Sequence, residues 1–357
     1  MMIQKNINKI NNFDLIRLLA ALQVVFTHSV HHLEMKGSIG EFGTLFVYYF
    51  PGVPIFFTIS GFLIYWSFDR NSDNLIKYFK NRLLRLFPAL WFCLILTIIL
   101  LLFDAKDPFL ITSAKQFWFW IIGQMTVFQF WTPDILRFWG VGTPNGSLWT
   151  IAVEMQFYIF VPVLFFLIKK FRKNTLTIIL VFIASSLAFN FYFGKFSEDS
   201  MVYKLAGVSV FPYLYNFLFG VLAYIYWDRI KAFVEGKMLI WLVMYLVYIN
   251  VFGNWLGNDL NSYFIYTPYQ FLSNIFLAFL VLSTAFTFNG ISNKLLHHND
   301  ISYGVYIFHM LIINFFVQRG MIESTTYFIM VFAGTIILAS VSWFFVEKYF
   351  LKLKKNK

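Results

Sequence analysis

The sequence is poor in charge. Charged residues make up 13% of its 357 positions, against 59% hydrophobic and 22% aromatic, and a soluble chain of this length needs more charge to cover its surface. It has one cysteine, Cys93, which excludes an intramolecular disulfide and any metal cluster built from cysteines. The six histidines, His28, His31, His32, His297, His298 and His309, form no HExxH pair, and nothing else argues for a metal. No GxSxG elbow, phosphate-binding loop or dinucleotide fingerprint occurs. Linkers, low-complexity runs and internal repeats are absent too. The opening MMIQKNINKINN enters the first apolar run without a small-residue cleavage site, so no cleaved signal peptide is expected.

Apolar runs long enough to span a bilayer recur at about 13–33, 50–68, 86–103, 147–168, 174–193, 208–227, 238–253, 268–288, 302–319 and 327–346. The pattern predicts an all-α integral membrane protein, a polytopic bundle of about ten transmembrane helices forming a single domain over 1–357. Segment 117–131, FWFWIIGQMTVFQFW, is short for a span and suits a re-entrant or interfacial element. With ten spans both termini share one side. That side then holds all Lys and Arg except Lys36, Lys106, Lys115, Arg137, Lys195, Lys204 and Arg319. The positive-inside bias makes it the cytoplasm; an eleventh span at 117–131 would put the KKFRK cluster (169–173) outside. The net charge of +11 is then a rim facing anionic lipid headgroups and needs no nucleic acid.

Ionisable residues inside spans are costly and usually functional. Arg17 and His28 lie in the first run, separated by roughly 16 Å of helix, Arg17 near the cytoplasmic face and His28 in the outer half. Asn145 and Gly146 read as a turn and Ser147 as an N-cap, which sets Glu154 at the depth of His28. The two could pair as base and orienting carboxylate, or hold one sugar hydroxyl between them. Helix packing through a neutral histidine is the competing reading. Arg82 and Arg85 share a helix face and with Arg17 could form a phosphate-binding mouth, or simply anchor the helix. Ser60 and Gly61 allow close backbone approach with a mid-membrane hydroxyl. Tyr303, Tyr306 and His309 could line the same passage. His31, His32, His297 and His298 fall near interfaces.

These segments together resemble the membrane-bound acyltransferase family 3, along essentially the whole chain. DLIRLLAALQVVFTH resembles the first-span signature of a basic residue, ten positions and a histidine, here Arg17 and His28. ISGFLI (59–64) resembles the second-span motif, Arg82 and Arg85 the basic motif before the third span, NGSLWTIAVEMQFY (145–158) the Ser-Leu-Trp…Glu signature, and SYGVYIFH (302–309) the late Tyr-x-x-Tyr-x-x-His segment. FFVEKYFLK resembles the closing Glu-x-x-Phe region but has Tyr349 where proline is common. Some relatives append an extracytoplasmic hydrolase-like domain, which this sequence does not show.

The resemblance implies a multi-pass O-acetyltransferase of the bacterial cytoplasmic (inner) membrane, moving an acetyl group from acetyl-CoA to a hydroxyl of an extracytoplasmic or lipid-linked glycan. His28 and Glu154 would be catalytic. Arg17, Arg82, Arg85, Ser60, Tyr303, Tyr306 and His309 would bind the donor, and Asn145, Ser147 and Trp149 the acceptor. Direct attack on the thioester and a transient acyl-histidine both fit, as do a monomer and a homodimer. Two other classes remain open: a secondary transporter or flippase using the intramembrane His and Glu, and a non-catalytic membrane component of a polysaccharide assembly complex.

Overall fold

A computed structural model describes residues 7, 10–257, 260 and 267–353. Lys5, Lys9 and the tail lysines Lys354, Lys355 and Lys357 of the predicted basic rim lie outside them. Among the described residues there are helices and no strands; a helix pairs its backbone groups internally, which lipid, offering them no partners, demands. In chain order they are α1 (Phe13–His32), α2 (Gly37–Tyr49), α3 (Gly52–Asp69), α4 (Leu75–Asp104), α5 (Pro108–Ser113), α6 (Lys115–Met125), α7 (Trp149–Lys170), α8 (Thr175–Phe193) and α9 (Met201–Gly207). There follow α10 (Leu214–Ile225), α11 (Trp227–Val234), α12 (Met238–Tyr248), α13 (Pro268–Ala285), α14 (Ile291–Leu296), α15 (Ser302–Gln318), α16 (Thr325–Ser342) and α17 (Lys348–Lys352).

Among the described residues, eight helical segments are long and apolar enough to cross a membrane. Taken as one span, the broken pair Met201–Gly207 and Phe211–Ile225, bent by 52°, makes a ninth. α15, an apolar helix of 17 residues, occupies the remaining predicted span. The chain is thus an all-α polytopic membrane protein. α6, with 11 residues, is too short to cross.

Three boundaries differ from the expectation. α4 begins at Leu75, capped by the Asn74 side chain, which accepts from Lys77 N at 2.8 Å. Its 30 residues make it about 45 Å long, so the helix starts well ahead of the predicted apolar run and carries Arg82 and Arg85, as expected, on one helix. Between the first two predicted spans lies α2, a further helix of 13 residues. Ser147 is not an N-cap: a 3-10 turn, Gly146–Leu148, leads into α7, and the Ser147 hydroxyl is used elsewhere.

The chain divides into two compact units. The first comprises Met1–Ala20, Tyr48–Asp73 and Gln156–His298. Its core is the contact of α3 with α10, where a Cβ on Gly61 would stand 1.9 Å from Phe217 O and one on Gly220 would stand 2.1 Å from Thr58 O. Only glycine lets two backbones meet so closely, the small-residue packing expected at Gly61. Aromatics fill the rest: Phe157 stacks on Phe217 with ring centroids 4.0 Å apart, and Phe62 meets Phe13, Trp66, Tyr224, Trp227 and Phe286.

The second unit comprises Ala21–Val47, Asn74–Met155 and Asn299–Lys357. In it Phe26 of α1 sits among Phe42, Phe46, Phe328 and Phe332, packing α1 against α2 and α16. α15 runs beside α16 so closely that a Cβ on Gly304 would stand 2.8 Å from Ala339 Cα. α16 passes through a π-helical turn, Trp343–Glu347, into α17; the extra residue of such a turn re-aims the side chains after it.

Candidate active site

The candidate site lies in the second unit, with α15 as its spine. His28 is on α1, and its helix mates Val24 and Ala21 are buried, so that face of the helix turns inward. There the half-buried His28 ring meets the fully buried His309 ring of α15: the centroids are 5.0 Å apart, and His28 Nδ1 lies 2.8 Å from His309 Nε2. The other nitrogen of His309, Nδ1, donates to Tyr306 O at 2.6 Å. His32 lies next on α1, its ring centroid 5.8 Å from that of His28, followed by His31 at 4.8 Å from His32.

The partner expected for His28 was Glu154, and the structure supplies His309 instead. Glu154 is half-buried on α7, one turn beyond Thr150, and its charge acts on Tyr78 and Tyr303. Counting depth along the chain set Glu154 level with His28. It could not show that α15 brings an imidazole to the His28 ring.

Asn145 and Ser147, expected to meet the acceptor, are buried and held by the protein. Ser147 Oγ donates to Asn145 Oδ1 at 2.8 Å, and Asn145 Nδ2 donates to Ile307 O at 2.8 Å. Cys93 Sγ reaches the same carbonyl at 3.3 Å. The Tyr306 hydroxyl lies 3.0 Å from Ser147 O and 2.7 Å from the Thr150 hydroxyl, which itself reaches Ser147 O at 3.3 Å. The NGSLWT segment and the middle of α15 are thereby locked together, and His309 is anchored one turn above the lock. Trp149 is half-buried beside it. Tyr303 donates to Leu86 O at 3.1 Å, so both tyrosine hydroxyls expected to line a passage hold helices in register.

Arg85, expected either to meet phosphate or to anchor its helix, is held by carboxylates. Its guanidinium bonds to Asp300, with Glu347 Oε2 3.9 Å from its other terminal nitrogen. Asp300 accepts in turn from the Ser302 backbone and hydroxyl, and Glu347 from Ser342 Oγ at 3.1 Å. Trp343 donates to Asn299 Oδ1 at 2.9 Å. Arg85 thus joins α4 to the start of α15 and to the π-helical turn. An arginine between two buried carboxylates is committed to them. Arg82, one turn earlier and half-buried, acts electrostatically on Tyr78.

At the other end of α15 the polar residues order the loop before NGSLWT. Asn314 accepts from Val141 N at 2.8 Å and donates to Thr143 O and Pro144 O at 3.0 and 2.9 Å; Gln318 accepts from Gly140 N at 2.8 Å. Gly140 has φ +57°, and a Cβ there would stand 2.0 Å from Asn314 Oδ1, so conformation and space both demand glycine. Arg319 grips Asp104 at 2.8 and 3.2 Å, and Trp139 donates to the same carboxylate at 2.9 Å.

Arg17 and Ser60 belong to the first unit. Arg17 pairs with Asp14 at 3.1 Å, one turn away as the spacing predicts, and Ser60 is half-buried beside Gly61. Sequence reasoning gave no role to Asp300, Glu347, Thr150, Asn314 or Asp104. Asp300, two residues ahead of the SYGVYIFH helix, and Glu347, alone in the apolar FFVEK run, were the visible signals.

The acyltransferase domain family matches residues 10–346. "Nodulation protein 10" of Rhizobium leguminosarum bv. viciae is 30% identical to this chain over 360 residues, 97% of this chain and 94% of its own. The "O-acetyl transferase" of Shigella phage Sf6 is 30% identical over 372 residues, 98% of each. No solved structure matches. A match over nearly the whole length, on a helical membrane chain whose first and late helices bring His28 and His309 together, gives the identity: this chain belongs to acyltransferase family 3 and is an acyltransferase.

Proposed function

We propose that the chain moves an acetyl group from acetyl-CoA to a hydroxyl of an extracytoplasmic or membrane-linked glycan, with His28 as general base. The observation that carries this reading is the His28–His309 contact: an imidazole on the first helix, half-buried, fixed by a second imidazole rather than by packing alone. A positioned, uncharged imidazole is a common proton acceptor for a hydroxyl nucleophile. The acetyl group follows the name of the phage relative, an "O-acetyl transferase", and the glycan follows the resemblance in the sequence.

The chemistry is one exchange. The acceptor oxygen attacks the thioester carbonyl while His28 takes the hydroxyl proton; the new C–O bond forms, the C–S bond breaks, and the leaving CoA thiolate takes that proton from His28. Direct attack needs one step fewer than an acyl-histidine. Arg82, with Arg85 committed to Asp300 and Glu347, is assigned to the donor phosphates, for which a guanidinium is suited. Glu154, set near Tyr78 and Tyr303, is assigned to the donor's arm, whose amide N–H groups a carboxylate accepts. Donor access from the cytoplasmic side of a bacterial inner membrane is supported by the positive-inside bias of the loops.

Membranes of a bacterial host expressing the chain, given acetyl-CoA labelled in the acetyl group, test this. Label should enter alkali-labile esters of the host glycans with the wild-type chain and not with His28→Gln. Equal labelling by both would remove His28 from the chemistry. Solute movement without consumption of acetyl-CoA would make the protein a transporter.

A further inference from the structure

The two rings carry more information than their proximity. Tyr306 O is a carbonyl and accepts only, so the 2.6 Å contact puts the proton of His309 on Nδ1. An uncharged ring has one N–H, which leaves His309 Nε2 a bare acceptor. The nitrogen facing it at 2.8 Å, His28 Nδ1, must then be the donor. His28 in turn has its lone pair on Nε2, the nitrogen turned away from His309.

We infer that His309 is a positioning residue for the proposed reaction: it holds His28 as the Nδ1–H tautomer and leaves Nε2 bare to receive the acceptor's proton. The inference rests on His28 being the base. It gives His309 the part that a carboxylate plays in a Ser-His-Asp triad, fixing tautomer and ring orientation without touching substrate. Two features suit it to that part. Its ring is fully buried, and its own orientation is set by Tyr306, whose hydroxyl is tied to Ser147 and Thr150. When His28 gains the hydroxyl proton on Nε2, its Nδ1–H still faces the His309 lone pair, which stabilises the transient charge.

The test is a nitrogen NMR measurement on the full chain in detergent micelles, with ring-15N histidine and the His28 signals assigned by their loss in His28→Gln. The expected wild-type result is a protonated Nδ1 and a bare Nε2 on His28, the reverse of the tautomer that free histidine favours in water. His309→Leu should return His28 to the Nε2–H form and lower kcat for labelling of host-membrane glycans about ten- to a hundredfold, by analogy with lost orienting partners in metal sites. KM for acetyl-CoA should stay within about twofold, because His309 acts through His28. His309→Gln, whose amide oxygen can replace the acceptor, should keep the tautomer and most of the activity. An Nε2–H form in the wild type would overturn the inference, and that spectrum needs no variant beyond the assignment. Unchanged kcat in a folded His309→Leu would overturn it as well. Activity in His28→Gln would instead defeat the base assignment on which the inference rests.

Discussion

His28 and His309 lie 281 positions apart in the chain, yet Nδ1 of one ring is 2.8 Å from Nε2 of the other. The contact joins the first helix to α15, whose Tyr306 and Ile307 are bonded to the NGSLWT segment. Three separated stretches of sequence meet around one imidazole, each fixed by hydrogen bonds to the next.

Replacing His28 with Gln preserves much of its volume and polarity while removing the proton acceptor. Transfer should fall by about a hundredfold or more, the scale of general-base catalysis, with unchanged protein level and melting behaviour. Loss of melting stability in step with activity would make His28 a packing residue.

Arg85→Ala should destabilise the protein by about 3–5 kcal/mol, because it strips the cation from two buried carboxylates. Thermal unfolding in detergent measures this, and Asp300→Ala made in the same background should add less than its separate cost. Undiminished stability together with weakened CoA binding would return Arg85 to the phosphates.

For Arg82→Ala the expectation is the opposite: near-normal melting, weaker affinity for CoA, and a smaller dependence of that affinity on salt, since one screened charge contact is gone. Calorimetric titration of CoA into solubilised protein reads both. Equal affinity and equal salt slope would make Arg82 an anchor.

Gly61→Ala would drive a methyl group into Phe217 O, where a Cβ stands 1.9 Å away. A backbone oxygen cannot rotate aside, so overpacking of about 1–3 kcal/mol is expected, and Gly220→Ala should behave alike. Melting temperatures equal to wild type would show that α3 and α10 separate freely.

The fold was largely legible because lipid enforces long apolar runs, and each of the ten runs corresponds to helix in the structure. Where helix and apolar run part company, a polar cap governs: Asn74 starts α4 well before its apolar run, and α2 lies between two runs. In the site, single residues were visible and their partners were not. His28 and His309 both stood out as histidines in spans, but depth counting matched His28 with Glu154, since tertiary pairing follows from which helices pack together. The carboxylates that hold Arg85 were not legible, because Asp300 and Glu347 are remote from it in sequence.

The measurement closest to the central claim uses sealed inside-out and right-side-out membrane vesicles from cells expressing the chain, retaining their own glycans, with acetyl-CoA labelled in the acetyl group added only outside. With donor access from the side of the basic loops, inside-out vesicles should form labelled glycan O-acetyl esters, enclosed in the vesicle lumen. Right-side-out vesicles should form none until permeabilised, and His28→Gln none in either. Equal labelling by intact vesicles of both orientations, or labelled glycan only on the face that received acetyl-CoA, would contradict acyl transfer through the membrane domain.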